Sequence, residues 1–506
     1  MKNKLVLALA AVVLMGAPAF AAIQNVKISG DIDSTYLNRQ DFGLGTKTNG
    51  METAGLINQS TFITQTTLKV DADLSDNVST TVGLINERAW DSENSVGTGN
   101  LNAGGNGNTW AGSDTNVQLY LAYATLREFL YSPLTVTVGR QYLNYGNGLI
   151  IGAGGLNNAA SGPLAAVAVD LTKRKTYDAI KATLDYKPLT LDFLYFKNLS
   201  NETNGGGLLT AVAGQRSSAT ADDSSVFGIN ANYQLGDAMN TVAEGYFFAR
   251  VNGKKSTQAS GAKDDQVFVP GLRVSTNPVK GLNTQVEVAW QGGTKATVPG
   301  GTTDDGDNIH RSAMAYQFLA SYAIPLAQIE KYKPTVNASF THVSGDKNAG
   351  DPRVTGSTWP SSGSTYKAWD PMFESQGGGT IYNTLFNLTN MNIASAGVSA
   401  TPIQDVTATA TWSGLWANKK VGATGSPGGL GINNPLTFFQ PDGTSVAPAT
   451  TTAKMMGNEY DLNVNYNYTE DVLLGVNLGW FVPGSLFDKA NRNTASQAIA
   501  HVDVNF

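Results

Sequence analysis

The chain reads as an all-β protein, a transmembrane antiparallel up-and-down β-barrel of about eighteen strands with short periplasmic turns and long extracellular loops. Three observations predict it. Apolar and polar residues alternate with a period of two in segment after segment. The connections between those segments are short and long in turn. The last segment, Ala498 to Phe506, has one apolar and one polar face and ends on an aromatic residue.

The first stretch is expected to be removed. Lys2 and Lys4, the apolar run from Leu5 to Met15 and Ala19-Phe20-Ala21 have the layout of a secretory signal peptide cut after Ala21. Eleven apolar residues are too few for a retained anchor. Residues 22 to 506 are then expected to form a single barrel domain, because no linker, fixed-period repeat or composition shift divides them. Cysteine is absent, which excludes a disulfide scaffold and thiolate metal sites. A formal net charge of −6 leaves no nucleic-acid footprint.

The first strand, 26 to 38, sets Val26, Ile28, Ile32 and Tyr36 against Lys27, Asp31 and Asp33. The second, ending at 74, sets Phe62, Leu68, Val70, Ala72 and Leu74 against Gln65, Lys69, Asp71 and Asp73. After the tight turn Ser75-Asp76-Asn77, a third runs from Val78 to Trp90. The pattern continues through 116 to 126, 134 to 141, 177 to 186, 189 to 198, 225 to 233, 241 to 250 and 267 to 275. The remaining strands are 282 to 292, 312 to 322, 334 to 343, 388 to 400, 406 to 416, 459 to 468, 472 to 482 and 496 to 506. Sixteen strands is the alternative, should the hairpin from 241 to 275 not form.

The aromatics sort by strand direction. Trp90, Trp290, Trp416 and Trp480 end strands that follow a short turn, and Tyr186, Tyr233, Tyr322 and Tyr468 end strands running the other way. Two rings of amphipathic side chains match the two interfaces of a bilayer. A closed barrel also satisfies every backbone N–H and C=O in lipid, where an apolar outer face is required.

From residue 134 onward the chain resembles the alginate-export family of outer-membrane channels. The similarity rests on V-T-V-G-R-Q-Y-L-N-Y-G-N-G at 136 to 148, K-P-T-V-N-A-S-F-T-H-V-S-G-D at 333 to 346, G-N-E-Y-D-L-N-V-N-Y at 457 to 466 and W-F-V-P-G at 480 to 484. The resemblance implies a porin-like channel in the outer membrane of a Gram-negative-type bacterium. It would pass hydrophilic solutes or an exopolysaccharide passively, while the short and long connections in turn place both termini in the periplasm. Outer-membrane lipid would surround such a barrel, and the terminal aromatic Phe506 resembles the assembly signal read by the barrel-assembly machinery, an expected partner. No cofactor and no metal are expected.

The candidate pore-lining residues are Lys27, Lys69, Arg140, Lys181, Glu244, Arg250, Arg273, Glu287, Glu459 and Asp461. Inward parity holds five cations, Lys27, Lys69, Lys181, Arg250 and Arg273. It holds twelve acids: Asp31, Asp33, Asp71, Asp73, Glu87, Asp185, Asp192, Glu244, Glu287, Glu459, Asp461 and Asp503. That balance does not make a cationic funnel, and a polyanion would meet net repulsion unless the cations cluster at the narrowest layer. Arg140 has lipid-facing parity, so either Gly139 permits a bulge that turns it inward or it lies at the outer rim. Glu459 and Asp461 share a face but are too few ligands for calcium. The glycine-rich loop 142 to 176 suits folding into the pore, and loops 344 to 387 and 417 to 458 are candidate lids. The Asp304 to Asp307 run reads as solvated.

No catalytic constellation is present. His310, His342 and His501 are far apart, and Ser339 and His342 have opposite parity. The alternative functions are a structural or adhesive barrel with binding loops and, behind it, a membrane-embedded hydrolase.

Overall fold

Every expected strand forms. The computed structural model describes residues 25–44, 58–90, 117–153, 169–173, 175–199, 223–252, 265–295, 309–346, 365–376, 378–419, 453–487, 489 and 492–506. The expected signal peptide, the loop at 91 to 115 and the acidic run at 304 to 307 lie outside the described residues, as does most of loop 417 to 458.

The first strands are β1 (Asn25–Gln40), β2 (Gln59–Ser75), β3 (Val78–Ala89), β4 (Gln118–Leu126), β5 (Leu134–Gln141) and β6 (Tyr177–Asp185). Next come β7 (Leu189–Leu199), β8 (Asp223–Gln234), β9 (Val242–Asn252), β10 (Asp265–Val279), β11 (Leu282–Lys295), the short β12 (Ile309–Arg311) and β13 (Ala313–Ala323). Then follow β14 (Thr335–Val343), the short β15 (Thr365–Tyr366), β16 (Met391–Ile403), β17 (Val406–Ala417), β18 (Met455–Asn467), β19 (Val472–Pro483) and β20 (Ala495–Asn505). Apart from β12 and β15, which sit on the loops, these are the eighteen strands of one closed sheet. The hairpin that could have reduced the number to sixteen is continuous, with β9 and β10 in register from Asn252↔Asp265 to Val242↔Ser275.

Each long strand pairs antiparallel with the next, and β20 returns to β1 from Asp31↔Asn505 to Gln40↔Ser496, leaving no sheet edge. At the seam Phe506 exchanges both backbone hydrogen bonds with Gly30, at 2.9 and 3.0 Å. A Cβ at Gly30 would lie 2.7 Å from the Phe506 ring, so the terminal aromatic covers a glycine that must stay bare.

The outward parity carries the exposed apolar side chains, among them Ile28, Val82, Ile180, Phe247, Leu272 and Val476. Trp90, Trp290 and Trp480 are exposed at one rim and Tyr186, Tyr233, Tyr322 and Tyr468 at the other. Trp416 is only partly exposed.

The apolar core lies inside the barrel. On strands β7 to β10 the inward Phe196, Val226, Phe248, Val267 and Val269 belong to one buried cluster with Ile150, Ile151, Trp369 and Phe386 from loops. All of these wall residues occupy the extracellular ends of their strands. In the periplasmic half the same parity carries Asn230, Arg273, Gln285 and Ser275. On these strands the inward face is therefore apolar where it meets the loops, apart from polar side chains such as Arg250 and Asp265 at the strand ends, and polar below.

Candidate constriction inside the barrel

Two loops turn into the lumen and join. The first leaves β5 and covers 142 to 153, and the second runs from β15 to 390. Gly146 and Gly148, at φ +56° and +73°, supply the left-handed turn that reverses the first loop. The apolar run Leu149-Ile150-Ile151 then lies against the second loop. Phe373 N–H donates to Ile150 O at 3.0 Å, Gly152 N–H to Phe373 O at 2.9 Å and Ser375 N–H to Gly148 O at 2.8 Å. These backbone bonds make the two loops one body.

Apolar packing holds that body against the wall. Tyr145 lies 5.4 Å from Phe248, and Phe373 lies 5.1 Å from Phe196 and 5.9 Å edge-on from Tyr177. Each large apolar side chain so buried contributes about 1.5–3 kcal/mol.

Four polar anchors fix the body's position. At the tip, Glu244 accepts from Gly146 N–H at 3.2 Å and from Arg273 at 3.0 Å, while Arg273 also donates to Gln285 at 2.9 Å. Beside them Tyr246 OH donates to Glu287 at 2.7 Å, and Gly271 is bare because the Tyr246 ring occupies that space.

The second anchor is ionic. Arg250 grips Asp370 with two hydrogen bonds, at 3.0 and 2.6 Å, and Arg311 pairs with Asp265 at 2.6 Å. Gln291 and the Asp370 backbone exchange bonds of 2.6 and 2.8 Å. Burial by itself would raise the Asp370 carboxyl, but the neighbouring Arg250 and Arg311 guanidinium groups hold it well below the usual range.

The third anchor is Glu459 with Asp461. Glu459 is fully buried and accepts from Ile381 N–H at 2.9 Å and Tyr382 N–H at 2.7 Å, while Asp461 accepts from Thr380 OH at 2.6 Å. These carboxylates clasp the loop just before its single helical turn, Tyr382–Leu385. They hold two backbone N–H groups and one hydroxyl of the loop.

The fourth anchor fixes the returning limb of the first loop. Glu87 accepts from Thr172 OH at 2.8 Å and Lys173 N–H at 2.7 Å. Lys173 reaches Asp31 at 2.7 Å and Asp33 at 3.4 Å, and Arg39 pairs with Asp170. Lys175 donates to the carbonyls of Phe373 and Glu374, and burial pulls its amine down to about 8 against the opposing pull of Glu374.

The sequence candidates therefore separate. Glu244, Arg250, Arg273, Glu287, Glu459 and Asp461 gather around the inserted loops. Lys69 pairs with Asp71 at 3.0 Å in the more open periplasmic half, where Lys27 faces Asp71 across the β1–β2 register. Lys181 keeps inward parity between the buried Ala179 and the facing Leu194, half-buried and away from the loops.

Arg140 is corrected to the outer face. It grips Asp178 with two bonds of 2.8 Å on the side that exposes Val138 and Ile180. Gly139, at φ +126°, bends the strand without turning Arg140 inward, because Gln141 takes the buried side. A paired carboxylate at a strand's outer end offsets the desolvation that an isolated arginine would meet in lipid.

Sequence reasoning missed Arg39, Arg311, Asp265 and Asp370. Arg39 had inward parity one residue beyond the expected strand end. Arg311, Asp265 and Asp370 lay in segments read as loops or loop edges, where parity carries no signal.

The family described as "Alginate export" matches residues 25–501. Among solved structures, OccK11 (OpdR) of Pseudomonas aeruginosa is similar over 96% of this chain and 97% of its own, at 8% identity and a TM-score of 0.52. OpdK of Pseudomonas aeruginosa, in its structure with vanillate, is similar over 96% of this chain and 99% of its own, at 10% identity and a TM-score of 0.53. At these identities the likeness concerns the fold. No curated protein matches the sequence.

Proposed function

The chain belongs to the alginate-export family and is an outer-membrane channel for passive transport, and we propose that it works as a narrow pore for small hydrophilic solutes that favours cations over anions. The observation that carries this reading is the pairing of the lumen arginines. Arg39, Arg250, Arg273 and Arg311 each face a carboxylate, so none of these four offers free charge to an anion. Asp31, Asp33, Asp71, Asp73 and Asp503 line the periplasmic half near Lys27, Lys69 and Lys173. Fixed acids in excess raise the local concentration of cations and repel a polyanion. The joined loops add a size limit.

Reversal potentials across a planar bilayer under a salt gradient test this reading. A cation preference is expected, and an anion preference would sink it. Lys27, Lys69 and Lys181 keep their pore-lining role in this proposal, whereas Glu244, Arg250, Arg273, Glu287, Glu459 and Asp461 seat the inserted loops. Arg140, being outside, has no pore-lining role.

The same proposal has the first 21 residues removed on secretion, both termini in the periplasm and Phe506 read by the barrel-assembly machinery. Deleting Phe506 should lower the level of folded protein in the outer membrane before it alters conductance. Normal membrane levels of the truncated chain would contradict the assembly role.

A further inference from the structure

The lipid-facing surface carries its charge on one side of the barrel, and we propose that this side binds the phosphate of an anionic outer-leaflet lipid at Lys197, beside the Arg140–Asp178 pair. From the reading above the proposal takes only the placement of the long loops outside the cell.

The asymmetry is plain along the strands. Among the described residues, no Lys, Arg, Asp or Glu has outward parity on β1, β2 or β9 to β20. The described outward charges Arg88, Arg140, Asp178 and Lys197 all stand at the extracellular ends of β3 to β7.

Three of them form a continuous row. Arg140 lies in register with Asp178, Asp178 with Lys197, and Lys197 with Ser225 on β8. On the periplasmic side of this row the same four strands present Val138, Ile180, Tyr195 and Phe227, of which Val138, Ile180 and Phe227 are exposed. The Tyr195 and Phe227 rings lie 5.1 Å apart. The row is therefore the first charged level above an apolar belt, the depth at which lipid headgroups begin.

Charge does not balance within the row. Arg140 gives Nε and Nη2 to the two Asp178 oxygens, each at 2.8 Å, and Nη1 to Leu119 O at 3.2 Å. Lys197 stands on the other side of Asp178, with its side chain exposed. Two cations thus flank one carboxylate, which leaves one net positive charge on a surface that faces lipid. In bulk water such an excess is simply solvated, but at the edge of an apolar layer a fixed anion compensates it better. A phosphate seated on the Lys197 ammonium restores the balance, and Arg140 offsets the repulsion from Asp178.

The test uses the full chain purified in detergent, with lipid A as the probe in its bis-phosphorylated form and with both phosphates removed. Native mass spectrometry reads which lipid is retained. The native chain should retain the phosphorylated form and lose the other. Lys197→Gln leaves the Arg140–Asp178 pair intact and should weaken retention roughly five-fold, the effect of one cation at an anionic lipid surface. Asp178→Asn removes the competing carboxylate and should strengthen retention. Lys280→Gln, in the turn between β10 and β11 at the opposite rim, should change nothing. Heat-modifiable gel mobility would verify that each variant is folded. Equal retention of the two lipids, or equal loss in Lys197→Gln and Lys280→Gln, would overturn the site. Neither result bears on conductance, which tests the channel reading by itself. The absence of native cysteine allows a separate check of orientation. Labelling of Lys280→Cys by an impermeant thiol reagent on intact cells would overturn the orientation, and with it the outer leaflet as the source of the lipid.

Discussion

The extracellular and periplasmic halves of the lumen are built from the same strands and obey opposite rules. In the upper half the inward wall carries Phe196, Phe248, Val267 and Val269 and meets loops, so it behaves as a protein core. In the lower half the same strands present the half-buried polar Asp192 and Ser275 toward the vestibule. What fills the space, rather than the strand itself, determines which side chains are suitable. A strand facing a packed loop is apolar on both faces there, and it alternates only where one face is wet.

The comparison can be broken most thoroughly by removing the filling. Excising 366 to 389 should raise single-channel conductance several-fold while leaving the barrel folded, because closure resides in the strand ladder. Conductance equal to that of the intact chain would mean that the loops do not narrow the path.

Asp370→Ala should act next most strongly. It leaves Arg250 beside a vacated partner in a nearly dry site, and breaking such a pair costs about 3–5 kcal/mol. Hydrogen exchange of the 365 to 376 backbone should rise sharply, with strand amides unaffected. Protection equal to that of the native chain would remove the ionic anchor from the account.

Glu459→Ala leaves Ile381 N–H and Tyr382 N–H without their acceptor, at about 1–3 kcal/mol for each buried orphan. Proteolysis within 378 to 390 should become faster. An unchanged cleavage rate would show that packing of Phe386 and Leu388 suffices.

Lys173→Met probes the lower half. It leaves Asp31 and Asp33 without their ammonium neighbour. Cation-over-anion permeability should rise by roughly two- to five-fold, because one unit charge near the path is worth about 1 kcal/mol in water. A fall in that ratio would contradict the proposed role of the vestibule acids.

The smallest effect concerns pH. The Lys175 amine sits at about 8 when the loops are seated, against 10.5 for an ordinary lysine. Between these values the seated state binds fewer protons, so seating becomes more favourable as pH rises through that window and is insensitive below it. Hydrogen-exchange protection of the 365 to 376 backbone should therefore rise modestly above about pH 8, and Lys175→Met should abolish that slope. A slope of the opposite sign would refute the assignment.

Much of the fold was legible from the chain. The strand from 267 onward forms as expected, though it starts at Asp265, and the strand expected at 388 starts at Met391 because Leu388 is buried with the loop. The site was legible only in part. Glu244, Arg273, Glu459 and Asp461 have the inward parity that was read, yet Glu244 and Glu459 accept from loop backbone, which has no side-chain signature. Arg140 appeared alongside the pore candidates and belongs to the outside, where Asp178 accompanies it.

The sequence by itself determined the barrel. A period of two fixes which face each side chain takes, and short and long connections in turn fix the up-and-down order, because both are local properties of the chain. Only the tertiary structure decided that the upper lumen is filled, that Glu459 clasps Ile381 and Tyr382, and that Arg250 meets Asp370. Those contacts join residues 77 to 120 positions apart, and no local pattern specifies where a long loop comes to rest. Its position follows from burial of apolar side chains and satisfaction of buried charge, which exist only once the wall has closed around it.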